Sequence, residues 1–123
     1  MKKIKILIID DENSRDMIRI FDRFIYDFEP FVARDKNEAL NLLNSADFDL
    51  ITLDGQLLNG DHGRDVLKEM TEAQISKTII YSADAKFIAE CKSKGIRYFE
   101  KGGGIISSVI DISPDGESIK FLI

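Results

Sequence analysis

Asp10 and Asp11 close the first apolar run of the sequence, Asp54 follows a later one, Ser82 ends a third and Lys101 a fourth. If those runs lie side by side, three carboxylates, a hydroxyl and an ammonium share one rim. Clustered carboxylates repel one another, and burying them together is costly unless a positive charge is present. A hard cation with oxygen ligands removes that cost. Mg2+ suits a site with few carboxylates, open water positions and a phosphoryl oxygen as a further ligand. Lys101 supplies a second positive charge and Ser82 a hydroxyl donor. A carboxylate nucleophile in such company fits phosphoryl transfer, in which the protein positions groups and neutralises charge. Asp54 as the nucleophile would give an acyl phosphate.

The elements that must hold these residues can be read from the apolar pattern. Ile4 to Ile9 is rich in β-branched residues and too short for a typical helix, so it reads as a buried strand. Met17, Ile18, Phe21, Phe24, Ile25 and Phe28 mark one face of a first helix, with Asn13 or Ser14 as its cap and Pro30 as its stop. Phe31 to Ala33 is a second strand. Asp35 and Glu38 form a pair like a capping box ahead of a second helix through Ala39, Leu40, Leu42 and Leu43. Phe48 to Leu53 is a third strand, followed by a polar loop from Gly55 to His62. Gly63 opens a third helix through Val66, Leu67 and Met70. Thr78 to Tyr81 is a fourth strand. Ala85 to Lys94 is a fourth helix with Phe87, Ile88 and Cys91 inward and Gly95 as its C-terminal cap. Ile96 to Phe99 is a fifth strand. Buried strands alternating with amphipathic helices imply an α/β domain, a parallel sheet with helices on both faces. In such sheets ligands bind beyond the carboxyl ends of the strands, which is where the candidate residues fall.

Composition narrows the classes. The chain has 123 residues, enough for one domain, and 44% are hydrophobic, enough for a real core. A net charge of −5 argues against a general nucleic-acid binder and against docking on an acidic membrane surface. The single cysteine, Cys91, excludes an intrachain disulfide and a cysteine metal cluster, as expected of a cytoplasmic protein. The apolar run after Met1-Lys2-Lys3 is broken by Asp10, Asp11 and Glu12, so it does not read as a signal peptide.

Ile6-Leu7-Ile8-Ile9-Asp10-Asp11-Glu12-Asn13, Asp54 after its strand, Tyr81-Ser82-Ala83 and Tyr98-Phe99-Glu100-Lys101 together resemble the receiver domains of two-component response regulators, over residues 4–101. The resemblance implies a flavodoxin-like, doubly wound parallel sheet in the order 2-1-3-4-5. It implies that Asp54 is the phosphoacceptor, supplied by a sensor histidine kinase or a histidine phosphotransfer protein. It implies that Mg2+ is bound by Asp11, by Asp10 largely through water, by Asp54 and by the backbone carbonyl of Gln56. Lys101 would pair with Asp54 and then with the phosphoryl group, Ser82 would move to bond a phosphoryl oxygen, and Tyr98 would be the switch aromatic. Ala83 would leave access to the site, and Gln56 and Asp84 lie where the family tunes phosphoryl lifetime. Output would pass to a downstream protein or a further phosphorelay step.

The sequence also departs from the family. Leu58 stands where the loop after the phosphoacceptor usually has proline, Gly63 comes one place late, and Gly102 replaces the proline after the lysine, so a cis peptide there is not expected. The largest departure is at the end. Residues 1–104 read as the receiver core and 105–123 as an atypical segment of the same domain. Ile105 to Ile112 is poor helix material, Pro114-Asp115-Gly116 is a strong turn signal, and Ile119, Phe121 and Ile123 alternate with Lys120 and Leu122. A β-hairpin, or a stub of helix followed by a strand, is expected in place of a full fifth helix.

Two other functions compete with the switch. A pseudo-receiver would be a folded interaction module that is never phosphorylated, favoured by the altered loop and the odd C-terminal segment. An aspartate-nucleophile Mg2+ phosphatase would need a second acid two residues after the nucleophile, where this chain has Gln56, so an enzyme in the ordinary sense is not expected. Among single residues, Ser82 could instead cap the helix that follows, and Tyr98 could be plain packing. His62, a lone loop histidine, is expected to face solvent with no metal or catalytic role. Cys91 is expected in the core, and Gly102-Gly103-Gly104 reads as flexible rather than as a phosphate loop.

Overall fold

A computed structural model describes residues 4–11, 28–102, 109–115 and 118–123. The helix expected from Met17 to Phe28 lies outside them except for Phe28, as do Gly103 and Gly104. Five parallel strands form the main sheet: β1 (Ile4–Ile9), β2 (Phe28–Ala33), β3 (Leu50–Leu53), β4 (Thr78–Ser82) and β5 (Tyr98–Glu100), in the order β2-β1-β3-β4-β5. The expected α/β fold and strand order are therefore present.

Alternation along the strands divides the core in two. Leu7 and Ile9 of β1, Ile51 and Leu53 of β3 and Ile80 of β4 face one cluster. Ile4, Ile6, Ile8, Leu50 and Ile79 face the other. This two-sided burial explains why β1 reads as a nearly continuous apolar run. The first cluster is covered by the described helices: α1 (Lys36–Ser45) with Ala39 and Leu43, α2 (Gly63–Leu67) with Val66 and Leu67, and α4 (Ala85–Ser93) with Phe87 and Cys91, while Ile75 packs on it from the short α3 (Glu72–Ile75). Burial pushes the Cys91 thiol up to about 11. The second cluster is covered by an antiparallel pair, β6 (Ile110–Ile112) and β7 (Ile119–Phe121), with Val109 and Ile110 buried against the sheet. The expected C-terminal hairpin is thus present, and it packs on a sheet face.

Several boundaries differ from the sequence reading. Phe28 and Pro30 belong to β2, which begins three residues earlier than expected and, among the described residues, is an edge strand pairing with β1 alone. A proline costs an edge strand little, because its missing N–H can face away from the ladder. β3 begins at Leu50 rather than Phe48, and β5 at Tyr98 rather than Ile96. The third helix ends at Leu67, and α3 follows it on a Thr71–Gln74 capping box in which each side chain bonds the other residue's backbone N–H. The Asp35–Glu38 pair does cap α1, with Asp35 Oδ1 accepting from the Glu38 N–H, although the Glu38 carboxylate reaches back to the Arg34 N–H. Ile88 is only half-buried.

Candidate functional site

The parallel ladders continue one residue past the strands, and this places the site. Asp10 N–H donates to the Ala33 carbonyl, Asp54 N–H to Ile9 and Lys101 N–H to Ser82, at 3.0, 2.9 and 2.9 Å. Asp10, Asp54, Ser82 and Lys101 are thereby brought side by side at the carboxyl end of the sheet. The ammonium of Lys101 lies 2.8 Å from Asp10 Oδ2 and 2.9 Å from Asp54 Oδ2. All three side chains are largely buried, at 15%, 3% and 8% exposure, so these pairs are little weakened by water. Burial pulls the Lys101 ammonium down, but its hydrogen bonds to Asp10 and Asp54 and their charges outweigh that, and it stays protonated above the ordinary lysine range.

The other oxygen of Asp54, Oδ1, accepts from the Gly55 N–H at 2.7 Å. That same N–H lies 3.4 Å from Ser82 Oγ, which puts the hydroxyl beside the carboxylate. Ser82 does not cap α4. Asp84 does, its Oδ1 accepting from the N–H groups of Lys86 and Phe87, while the Asp84 N–H donates to Ser82 Oγ at 3.1 Å. Asp11, Asp54, Gln56, Ser82, Ala83, Asp84 and Lys101 line an open cleft of about 440 Å³.

One carboxylate oxygen from each of Asp10, Asp11 and Asp54 lies within 4.8 Å of the others. Two like charges about 4 Å apart repel by roughly 4 kcal/mol at an effective dielectric constant near 20. Among the described residues Lys101 is the cation that bonds Asp10 and Asp54, and the donor set of three carboxylates, all oxygen, fits a hard divalent cation. Gln56 is exposed at the cleft edge, and its backbone forms an antiparallel bridge with His62 that closes the intervening loop.

Tyr98 is placed elsewhere. It is half-buried against the helix-covered cluster and lines a second surface cavity with Ile96, Arg97 and Ile123, away from the carboxylates. The tyrosine near Lys101 is Tyr81, whose ring centroid is 5.5 Å from the ammonium and which stacks on Phe99. The sequence reading missed Tyr81 as a neighbour of the site, although its place one residue before Ser82 could have signalled it.

His62 does not face solvent as expected. It is 21% exposed, its Nδ1 accepts from the Arg64 N–H at 3.0 Å as the N-cap of α2, and its Nε2 is 3.2 Å from Asp84 Oδ2. Its ring also meets Phe87 edge-on at 5.0 Å. Hydrogen bonds from the Phe87 N–H and from His62 hold the Asp84 carboxyl below its usual range.

No family model matches this sequence, and no curated protein matches it. Solved structures do match. A phosphorylated cyanobacterial phytochrome response regulator, RcpA, superposes with a TM-score of 0.72 at 21% identity over 86% of each chain. The Mn2+-bound form of another response regulator matches at TM-score 0.70 and 21% identity, over 85% of each chain. The receiver domain of a Francisella response regulator matches at TM-score 0.68 and 27% identity, over 86% of this chain and 90% of that one. With its strand order and the acids gathered at the strand ends, the chain has the fold of the response-regulator receiver domains.

Proposed function

We propose that this domain is a phosphorylation-dependent signalling switch in which Asp54 accepts a phosphoryl group from a phosphohistidine of a sensor kinase or phosphotransfer protein. The observation that carries the reading is the Lys101 ammonium held between Asp10 and Asp54 on the rim of an open cleft. An Asp54 oxygen attacks phosphorus as the donor P–N bond breaks, and the departing imidazole takes a proton from water. Lys101, already within hydrogen-bond reach of Asp54 Oδ2, follows the charge onto the phosphoryl oxygens. Ser82 accepts N–H bonds from Asp84 and Gly55, so its own hydrogen is left to donate to a phosphoryl oxygen. Small Ala83 keeps the approach open.

Asp10, Asp11, Asp54 and the Gln56 carbonyl would hold Mg2+, which would neutralise charge on the transferred group when bound. The Mn2+-bound response regulator of the same fold supports a divalent cation in this place. In this reading Tyr98 is the aromatic whose packing changes when Ser82 is engaged, and output goes to a downstream protein rather than to nucleic acid. Among the described residues no helix is long and apolar enough to cross a membrane.

The test is intact mass spectrometry after incubation with acetyl phosphate and Mg2+, beside Asp54→Ala and a magnesium-free control. One added phosphoryl group, absent from both controls, supports the switch. No adduct, together with no binding of a beryllofluoride mimic, would leave a pseudo-receiver acting through protein contacts alone. Turnover of a generic phosphate ester would point instead to a phosphatase.

A further inference from the structure

We infer that His62 is a positioning residue for the phosphoryl site: through Asp84 it holds the turn after β4 so that Ser82 keeps its hydroxyl beside Asp54 before any phosphoryl group arrives. The inference rests on the phosphoacceptor reading above and adds a residue to it.

The tautomer of His62 follows from its backbone partner. The Arg64 N–H can only donate, so Nδ1 must carry the lone pair, and the hydrogen of the neutral ring sits on Nε2. Nε2 therefore donates to Asp84 Oδ2. The bond joins the loop after β3 to the turn after β4, the two segments that flank the cleft.

Asp84 is then fixed on every side. Its Oδ2 takes His62, its Oδ1 takes two N–H groups of α4, and its own N–H goes to Ser82 Oγ. A rotation of this residue would break the His62 bond or uncap α4. Ser82 Oγ is in turn held near the Gly55 N–H and so near Asp54.

Space at the site agrees. A side chain on Gly55 would put a Cβ 3.3 Å from two atoms of the imidazole and 3.0 Å from the Phe87 ring, so the histidine is seated in a slot that glycine leaves open. The charged groups around it belong to the same brace. On α2 and α4, Arg64 makes two hydrogen bonds to Glu90, at 2.9 and 3.1 Å, tying together the two helices that His62 and Asp84 cap.

The experiment compares wild type with His62→Asn, Ser82→Ala and the double variant. Asparagine can still cap α2 but is too short to reach Asp84, so the fold is retained while the tie is lost. The readouts are the initial rate of phosphorylation by acetyl phosphate and the affinity for Mg2+ alone. If His62 acts through Ser82, His62→Asn slows phosphorylation roughly tenfold, the scale of one lost hydrogen bond of about 1.4 kcal/mol. It leaves Mg2+ affinity within about twofold, and it costs nothing further once Ser82 is alanine. A wild-type rate in His62→Asn, or losses that add in the double variant, would overturn the role of His62 while the phosphoacceptor reading stands. A wild type that takes up no phosphoryl group overturns both.

Discussion

Gly63 lies so close to Asp54 that a Cβ built on it would stand 2.1 Å from the Asp54 carbonyl oxygen. The first residue of α2 thus rests on the backbone of the proposed phosphoacceptor, and the Gly63 N–H donates to the Gly55 carbonyl at 2.8 Å. The loop between them turns at Asn59 and Gly60, both at positive φ.

Gly63→Ala should push α2 off the end of β3. Overpacking against backbone costs about 1–3 kcal/mol, and the Asp54 carboxylate would shift with its main chain. A lower urea midpoint together with slower phosphorylation is expected. An alanine variant with the wild-type midpoint would show that the loop absorbs the methyl group.

Lys101→Met removes the ammonium that separates Asp10 from Asp54. Deleting one partner of a buried ion pair costs about 3–5 kcal/mol, and here two carboxylates face each other afterwards. The variant should be markedly less stable without divalent cation, and millimolar Mg2+ should restore more of that loss than it adds to wild type. Urea titrations with and without Mg2+ measure both. Equal Mg2+ stabilisation of the two proteins would mean that the cation and Lys101 do not share the same carboxylates.

Much of this site was legible because strand ends are. Ile4 to Ile9 and Leu50 to Leu53 are mostly apolar and are buried on both faces, so the charged residue that follows each lies on the rim. The C-terminal hairpin was legible from its turn residues and from the alternation of Ile119 to Phe121. Pro30 misled because a helix stop and an edge-strand proline look alike without knowledge of the neighbouring strand. Thr71 and Gln74 carried a capping-box signal that was overlooked, since the helix they start is only four residues long. His62 was illegible for a different reason. Its partner Asp84 is 22 residues away, and a single polar side chain leaves no periodic trace.

Asp84→Asn should reveal a pH window. The Asp84 carboxyl is held below its usual range by the Phe87 N–H first and His62 second, so the folded state favours the ionised form. That contribution is fully present above the unfolded value near 4 and is lost as pH falls through the lower folded value. Asparagine caps helices almost as well as aspartate, so the variant should lose about 1 kcal/mol at pH 7. The gap to wild type should narrow as pH drops below about 4. Chemical denaturation at pH 7 and pH 3 checks the sign, and a gap that widens at pH 3 would contradict it.

Arg97 adds a polar clasp between the parallel sheet and the C-terminal hairpin. Its guanidinium lies 3.9 Å from the centre of the Phe121 ring, and its Nε donates to the Ile123 carbonyl at 3.0 Å. Its Nη1 meanwhile donates to the carbonyls of Ser76 and Thr78. Burial lowers its pKa from the ordinary arginine value, yet it stays charged at any physiological pH. Arg97→Ala removes the cation from the ring and leaves carbonyls on both sides without this donor. A cation over an aromatic ring is worth about 0.5–1 kcal/mol at an exposed site, and a hydrogen bond from a charged group about 1.5–3. The hairpin should therefore open locally at lower free energy. Hydrogen exchange should speed up at Ile110–Ile112 and Ile119–Phe121, while β1 and β3, buried at the centre of the sheet, keep their protection. Uniform acceleration across both sheets would instead make the hairpin an integral part of the global folding unit, opening only when the whole domain unfolds.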